Sequence, residues 1–139
     1  MRIVLDTNVL VAGLLSPFGP PGEIVRMVSS GELSLCLDAR VLSEYSDVLL
    51  RPKFGFDPDA VGALLDFIEH GSQTVASSPL PAPLPHRDDE SFLEIALASG
   101  ADCLVTGNLV HYPEGLRQGA SVMSPAEFVE YYRSRALQR

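Results

Sequence analysis

Lysine is almost missing from this 139-residue chain: Lys53 stands alone against nine arginines. Nothing after residue 53 can therefore present a side-chain ammonium group. Positive charge is scarce altogether, with ten Lys and Arg against 18 Asp and Glu and a formal net charge of −8. That balance argues against a broad basic surface that grips phosphates directly, so a nucleic-acid partner would have to be met through bound cations or local arginines. Cysteine is confined to Cys36 and Cys103, each inside its own apolar run and without CxxC spacing. Neither disulfide density nor a metal-type thiolate motif is present, and both are expected to be reduced core residues. No apolar stretch reaches the roughly 18 residues of a membrane span, and the N-terminal candidate Val9 to Leu15 is preceded by Asp6 and Asn8, which spoil a signal peptide. A soluble cytoplasmic protein with no membrane partner is expected.

Hydrophobic residues make up 46% of the chain, and folding at this length buries roughly two-thirds of the surface. One domain over residues 1–139 is expected, with no internal repeat and no dividing linker. Continuous apolar runs at Arg2 to Asp6, Leu33 to Leu37 and Asp102 to Val105 have the pattern of central parallel strands covered on both faces. Between them come helical patterns over Pro21 to Ser29, Ala39 to Leu50, Asp59 to Glu69 and Asp89 to Ser99, the last closed by Gly100. A final helix opens at Ser124-Pro125-Ala126-Glu127, where Ser124 is placed as N-cap and Glu127 as the returning side of a capping box. Its Arg133, Arg135 and Arg139 suit the C-terminal dipole end. Proline at every second position of Ser78 to His86 predicts a stiff extended connection. Strands alternating with helices imply an open α/β sheet, in which sites form outside the carboxyl ends of the strands.

Asp6 sits at such an end, inside the otherwise apolar stretch VLDTNVLVAG. An unpaired charge buried there costs several kcal/mol or more, so it needs a partner, usually a cation. Asp89 shares a helical face with Phe92, Leu93 and Ala96 and so points toward the sheet, although Asp is equally at home as a helix N-cap. Glu44, three residues after Val41 and four before Val48, lies on the border of a buried face, where a solvated flank residue is the competing reading. The strand end Val105-Thr106-Gly107-Asn108 repeats the chemistry of the first, and two polar strand ends in one sheet can face one pocket. Gly and Asn there also suit a simple turn.

Leu5-Asp6-Thr7-Asn8, Ser43-Glu44-Tyr45, Asp88-Asp89 with Phe92-Leu93 and Ala96, and Val105-Thr106-Gly107-Asn108 together resemble the PIN-domain nucleases in order and spacing over nearly the whole chain. Arg51-Pro52-Lys53-Phe54 and Asn108-Leu-Val-His111-Tyr-Pro113 resemble in particular the branch of toxins from toxin-antitoxin pairs related to VapC-type ribonucleases. The resemblance implies a three-layer α/β/α sandwich around a central, mostly parallel sheet. It also implies a ribonuclease whose Asp6, Glu44 and Asp89 hold Mg²⁺ or Mn²⁺, an RNA substrate, a cognate antitoxin and a homodimer. Asn108 stands where the fullest family pattern has Asp, removing one charge; it remains able to offer a neutral oxygen or orient water. His86 falls where relatives often carry another acid and is left out of the catalytic set. Three carboxylates converging on a low-dielectric pocket do call for a hard cation, which answers the question of Asp6. Asn8 and Thr106 are candidates for contacting substrate, and Arg51, Lys53 and Arg87 for gripping phosphates.

Two other readings compete. Phosphoaspartyl phosphatases and receiver domains also begin with a strand ending in Asp, but such phosphatases usually place a second Asp where this chain has Asn8. Both also use a late lysine, which is missing here. A PIN fold that has lost cleavage through Asn108 and serves as a protein-binding module is the stronger rival.

Overall fold

The computed structural model describes residues 1–137, so Arg139 lies outside the described residues. Five strands form one sheet: β1 (Arg2–Leu5), β2 (Ser34–Leu37), β3 (Gln73–Thr74), β4 (Cys103–Val105) and β5 (Val122–Met123). Their spatial order is β3-β2-β1-β4-β5 and every neighbouring pair is parallel. Six helices connect them: α1 (Thr7–Leu15), α2 (Pro20–Ser29), α3 (Ala39–Leu49), α4 (Pro58–Gly71), α5 (Glu90–Ser99) and α6 (Pro125–Leu137). This is the α/β, PIN-like architecture expected. The three continuous apolar runs are the three inner strands, whose residues Ile3, Val4, Leu5, Leu35, Cys36, Leu37, Cys103, Leu104 and Val105 are all buried.

The chain leaves β1 toward β2 on one side and returns to β4 on the other, so a switch point lies between β1 and β4. Their register pairs Leu5 with Val105, and the Asp6 N–H donates to the Val105 carbonyl at 2.9 Å. Asp6 and Thr106 are therefore neighbours at the carboxyl edge of the sheet, where α/β folds place their sites.

The terminal signals of the helices hold. Ser124 and Glu127 form the reciprocal capping box, with the Ser124 N–H on Glu127 Oε1 at 2.9 Å and the Glu127 N–H on Ser124 Oγ at 3.2 Å. Gly100 closes α5 at φ 67°, a left-handed conformation that favours glycine. Arg133 reaches across to Glu23 of α2 at 2.9 Å, and Arg135 reaches both across to Asp102 at 3.4 Å and along its helix to the Tyr131 hydroxyl at 3.1 Å. Cys36 and Cys103 are free and buried, and burial pushes the Cys103 thiol up to about 12. No helix among the described residues is long and apolar enough to cross a membrane.

Two departures from the sequence expectations have local causes. Helix α1 follows β1 directly, its apolar sequence TNVLVAGLL showing no one-sided periodicity because it packs against both α2 and α3. At Gly13 a Cβ would lie 2.6 Å from the Pro21 carbonyl oxygen, so only glycine permits this approach of α1 to the start of α2. Strands β3 and β5 are two residues each, too short for any alternation to register.

Candidate active site

Asp6 occupies the N-cap position of α1, yet its side chain makes no capping bond. The carboxylate turns instead across the switch point: Oδ2 accepts from the Thr106 hydroxyl at 2.9 Å and from the Tyr112 hydroxyl at 3.1 Å. It is 4% exposed. Burial pushes its pKa up; the Thr106 hydrogen bond opposes this, the Asp89 charge adds to it, and the Tyr112 hydrogen bond and the Glu44 charge act smaller and opposite.

Glu44 arrives on α3. The next residue, Tyr45, is fully buried and donates its hydroxyl to the Leu5 carbonyl, anchoring α3 against the end of β1. That anchor presents half-buried Glu44 to Thr7, whose hydroxyl donates to Glu44 Oε2.

Asp89 closes a short 3₁₀ turn, Arg87–Asp89, at the N-cap of α5, again with no capping bond from its side chain. Both readings of this residue thus meet: it stands at the cap position but faces the pocket. Its Oδ2 lies 3.0 Å from Nδ1 of His111, yet no hydrogen bond of good geometry reaches that buried oxygen from the described residues. Burial pushes its pKa up, opposed by His111 and His86. The His86 and His111 rings lie 4.0 Å apart between centroids, tilted by 35° to one another.

The remaining candidates separate. Asn8 ties α1 to the β4 end, its Oδ1 accepting from the Gly107 N–H at 2.9 Å. Thr106 is fully buried, and its hydroxyl both donates to Asp6 and accepts the Asn108 N–H at 3.0 Å. Asn108 is exposed at the rim. Arg51, Lys53 and Arg87 are exposed as well; Arg51 pairs with Asp47 at 3.2 Å, and Lys53 lies 5.0 Å over the Phe54 ring. Arg51 lines an open groove of about 850 Å³ between α3 and α4 rather than the carboxylate pocket.

Tyr112, absent from the sequence candidates, stands among all three acids: burial first, then the charges of Asp6 and Asp89, then Glu44, push its phenol far up. Its signal was its place in Asn108 to Pro113, directly after a polar strand end. No group of three or more His, Cys, Asp or Glu among the described residues is already drawn together as a metal cage. The donor chemistry nevertheless fits a hard divalent cation: three carboxylates, one with a buried oxygen that no well-formed hydrogen bond from the described residues satisfies and one held at a raised pKa by burial and by its like-charged neighbours.

Comparison with known proteins gives the family. A family model described as PIN domain matches residues 2–110, which takes in Asp6, Glu44, Asp89 and Asn108. Neither a curated protein nor a solved structure matches the chain. PIN domains are generally nucleases that use divalent metals, and this chain, matched over most of its length, belongs to the PIN-domain family.

Proposed function

We propose that the protein is a Mg²⁺- or Mn²⁺-dependent ribonuclease, hydrolysing RNA phosphodiester bonds as the toxin of a toxin-antitoxin pair. The observation that carries the reading is the approach of Asp6, Glu44 and Asp89, distant in sequence, at the switch point, where the charges of Asp89 and Glu44 act on Asp6 and those of all three act on Tyr112. Asp6, Glu44 and Asp89 would hold the ion, which supplies the Lewis acidity that polarises water and neutralises the scissile phosphate. The protein's own residues do the rest. Thr106 and Tyr112 fix Asp6, Thr7 fixes Glu44, and exposed Asn108 at the rim offers an amide to water or substrate. Arg51, Lys53 and Arg87 supply the local cations that a chain of net charge −8 needs along an RNA backbone. The matching antitoxin, the homodimer and a cytoplasmic setting belong to the same proposal.

One specific observation favours the rival, a binding module without cleavage: the acids are not drawn into a ready cage, and a neutral Asn108 adds no charge to close it. Purified protein incubated with Mn²⁺ and a single-stranded RNA, and separately with DNA of the same sequence, distinguishes the two. Cutting of the RNA alone supports the ribonuclease, and intact RNA supports the module. For the toxin role, induced expression should arrest growth, and co-expression of the product of an adjacent small reading frame should relieve it.

A further inference from the structure

The turn after β4 carries a buried phenol whose position is more constrained than packing requires. Leu109–His111 form one 3₁₀ turn, with the Tyr112 N–H on the Leu109 carbonyl at 2.9 Å, and Arg117 Nε donates to the Tyr112 carbonyl at 2.7 Å. Tyr112 is thus held by its backbone on both sides and is 0% exposed. A phenol hydroxyl buried this completely needs a partner. It could have found a backbone carbonyl, as Tyr45 does at Leu5. It donates instead to Oδ2 of Asp6, the same oxygen that receives the Thr106 hydroxyl.

Two donors from two different parts of the chain therefore converge on one oxygen of one carboxylate, and none among the described residues reaches Oδ1. Such an arrangement fixes the plane of the carboxylate and leaves its other oxygen for something outside the protein. Asp6 stands at the centre of the sheet edge, where the ends of β1 and β4 meet, and Thr106 and Tyr112 hold its side chain there.

We infer that Tyr112, with Thr106, is a positioning residue for the metal: the pair sets the orientation of Asp6, so that Oδ1 is pre-placed as a ligand. This rests on the metal-dependent reading of the site. Groups that orient a metal ligand without touching the metal typically change affinity or activity by about 10- to 100-fold when removed.

The test is Tyr112→Phe, which keeps the ring and removes only the hydroxyl. Calorimetric titration with Mn²⁺ should give a dissociation constant about 10- to 100-fold weaker than that of the unaltered protein, in protein that circular dichroism in EDTA shows to be folded. Saturating Mn²⁺ should restore most of the cleavage rate while KM for RNA stays the same, a split that a merely structural role would not give. An unchanged Mn²⁺ affinity overturns the inference. If Tyr112→Phe does not fold, Thr106→Val removes the other donor and carries the same two outcomes. If the unaltered protein takes up no Mn²⁺, it is the metal reading that fails. Metal-free crystal structures then decide on Tyr112 separately: a rotated Asp6 carboxylate in Tyr112→Phe supports positioning, and an unmoved one overturns it.

Discussion

The hydroxyl of Thr106 donates to Oδ2 of Asp6 at 2.9 Å, across one hundred residues of chain and one strand spacing of sheet. That contact follows from register alone. Leu5 pairs with Val105, so the next residue on each strand meets at the carboxyl edge, and the chain has placed a carboxylate on one and a hydroxyl on the other.

The raised pKa of Asp6 has a consequence for stability without metal. A carboxyl whose folded pKa lies above its unfolded value of 3.8 favours folding in its protonated form. Its contribution is fully present below 3.8 and is lost as pH rises through the raised folded value. Asp89 is raised in the same direction. Asp6→Asn and Asp89→Asn, which keep shape and remove charge, should therefore melt at or above the temperature of the unaltered protein in EDTA at neutral pH. The advantage should shrink as pH falls toward 3.8. A variant that melts far lower at neutral pH would mark the residue as structural.

Metal should reverse that penalty. Mn²⁺ or Mg²⁺ bound only by the folded state raises stability by about 2.7 kcal/mol at 100 times the dissociation constant. Because the ligands must first lose their protons, the shift in melting temperature should grow as pH rises through the raised carboxyl values and vanish in acid. Melting scans with and without Mn²⁺ at several pH values check both parts, and a shift independent of pH would show that the ion binds elsewhere.

Asn108 stands exposed at the rim of the pocket with a neutral side chain. Supplying a carboxylate there should strengthen metal binding, so Asn108→Asp should lower the Mn²⁺ concentration that gives half-maximal cleavage. Superimposable titrations of the two proteins would show that position 108 acts on water, substrate or the turn instead.

The hydroxyl of Tyr45 holds α3 to the end of β1 through the Leu5 carbonyl. Tyr45→Phe leaves a buried acceptor unpaired and should cost about 1 to 3 kcal/mol of stability. Because Glu44 precedes it, cleavage should also weaken. Denaturant unfolding measures the first effect, and a loss well under 1 kcal/mol would show that packing alone seats the helix.

Much of this was legible in the sequence because the signals are local. Continuous apolar runs mark strands covered on both faces, and Ser124 with Glu127 or Gly100 mark helix ends whose geometry depends on a few adjacent residues. Asp6 was conspicuous as a charge within an apolar run. What stayed hidden depends on tertiary contact. Helix α1 has no polar face to betray its period, and β3 and β5 are defined by their partners rather than by pattern. The role of Tyr112 arises only when the 3₁₀ turn after β4 folds back over Asp6; as letters, its place in Asn108 to Pro113 was its one signal. Arg51, by contrast, is near Glu44 in sequence but lines the groove between α3 and α4, because the helix carries it more than a turn beyond the pocket.

The most direct measurement is RNA cleavage by purified protein in Mn²⁺, for the unaltered chain and for Asp6→Asn, Glu44→Gln and Asp89→Asn, with folding of each confirmed by circular dichroism. The predicted result is cleavage that disappears in EDTA and in each of the three folded variants. Cleavage by folded Asp6→Asn at the unaltered rate would contradict it.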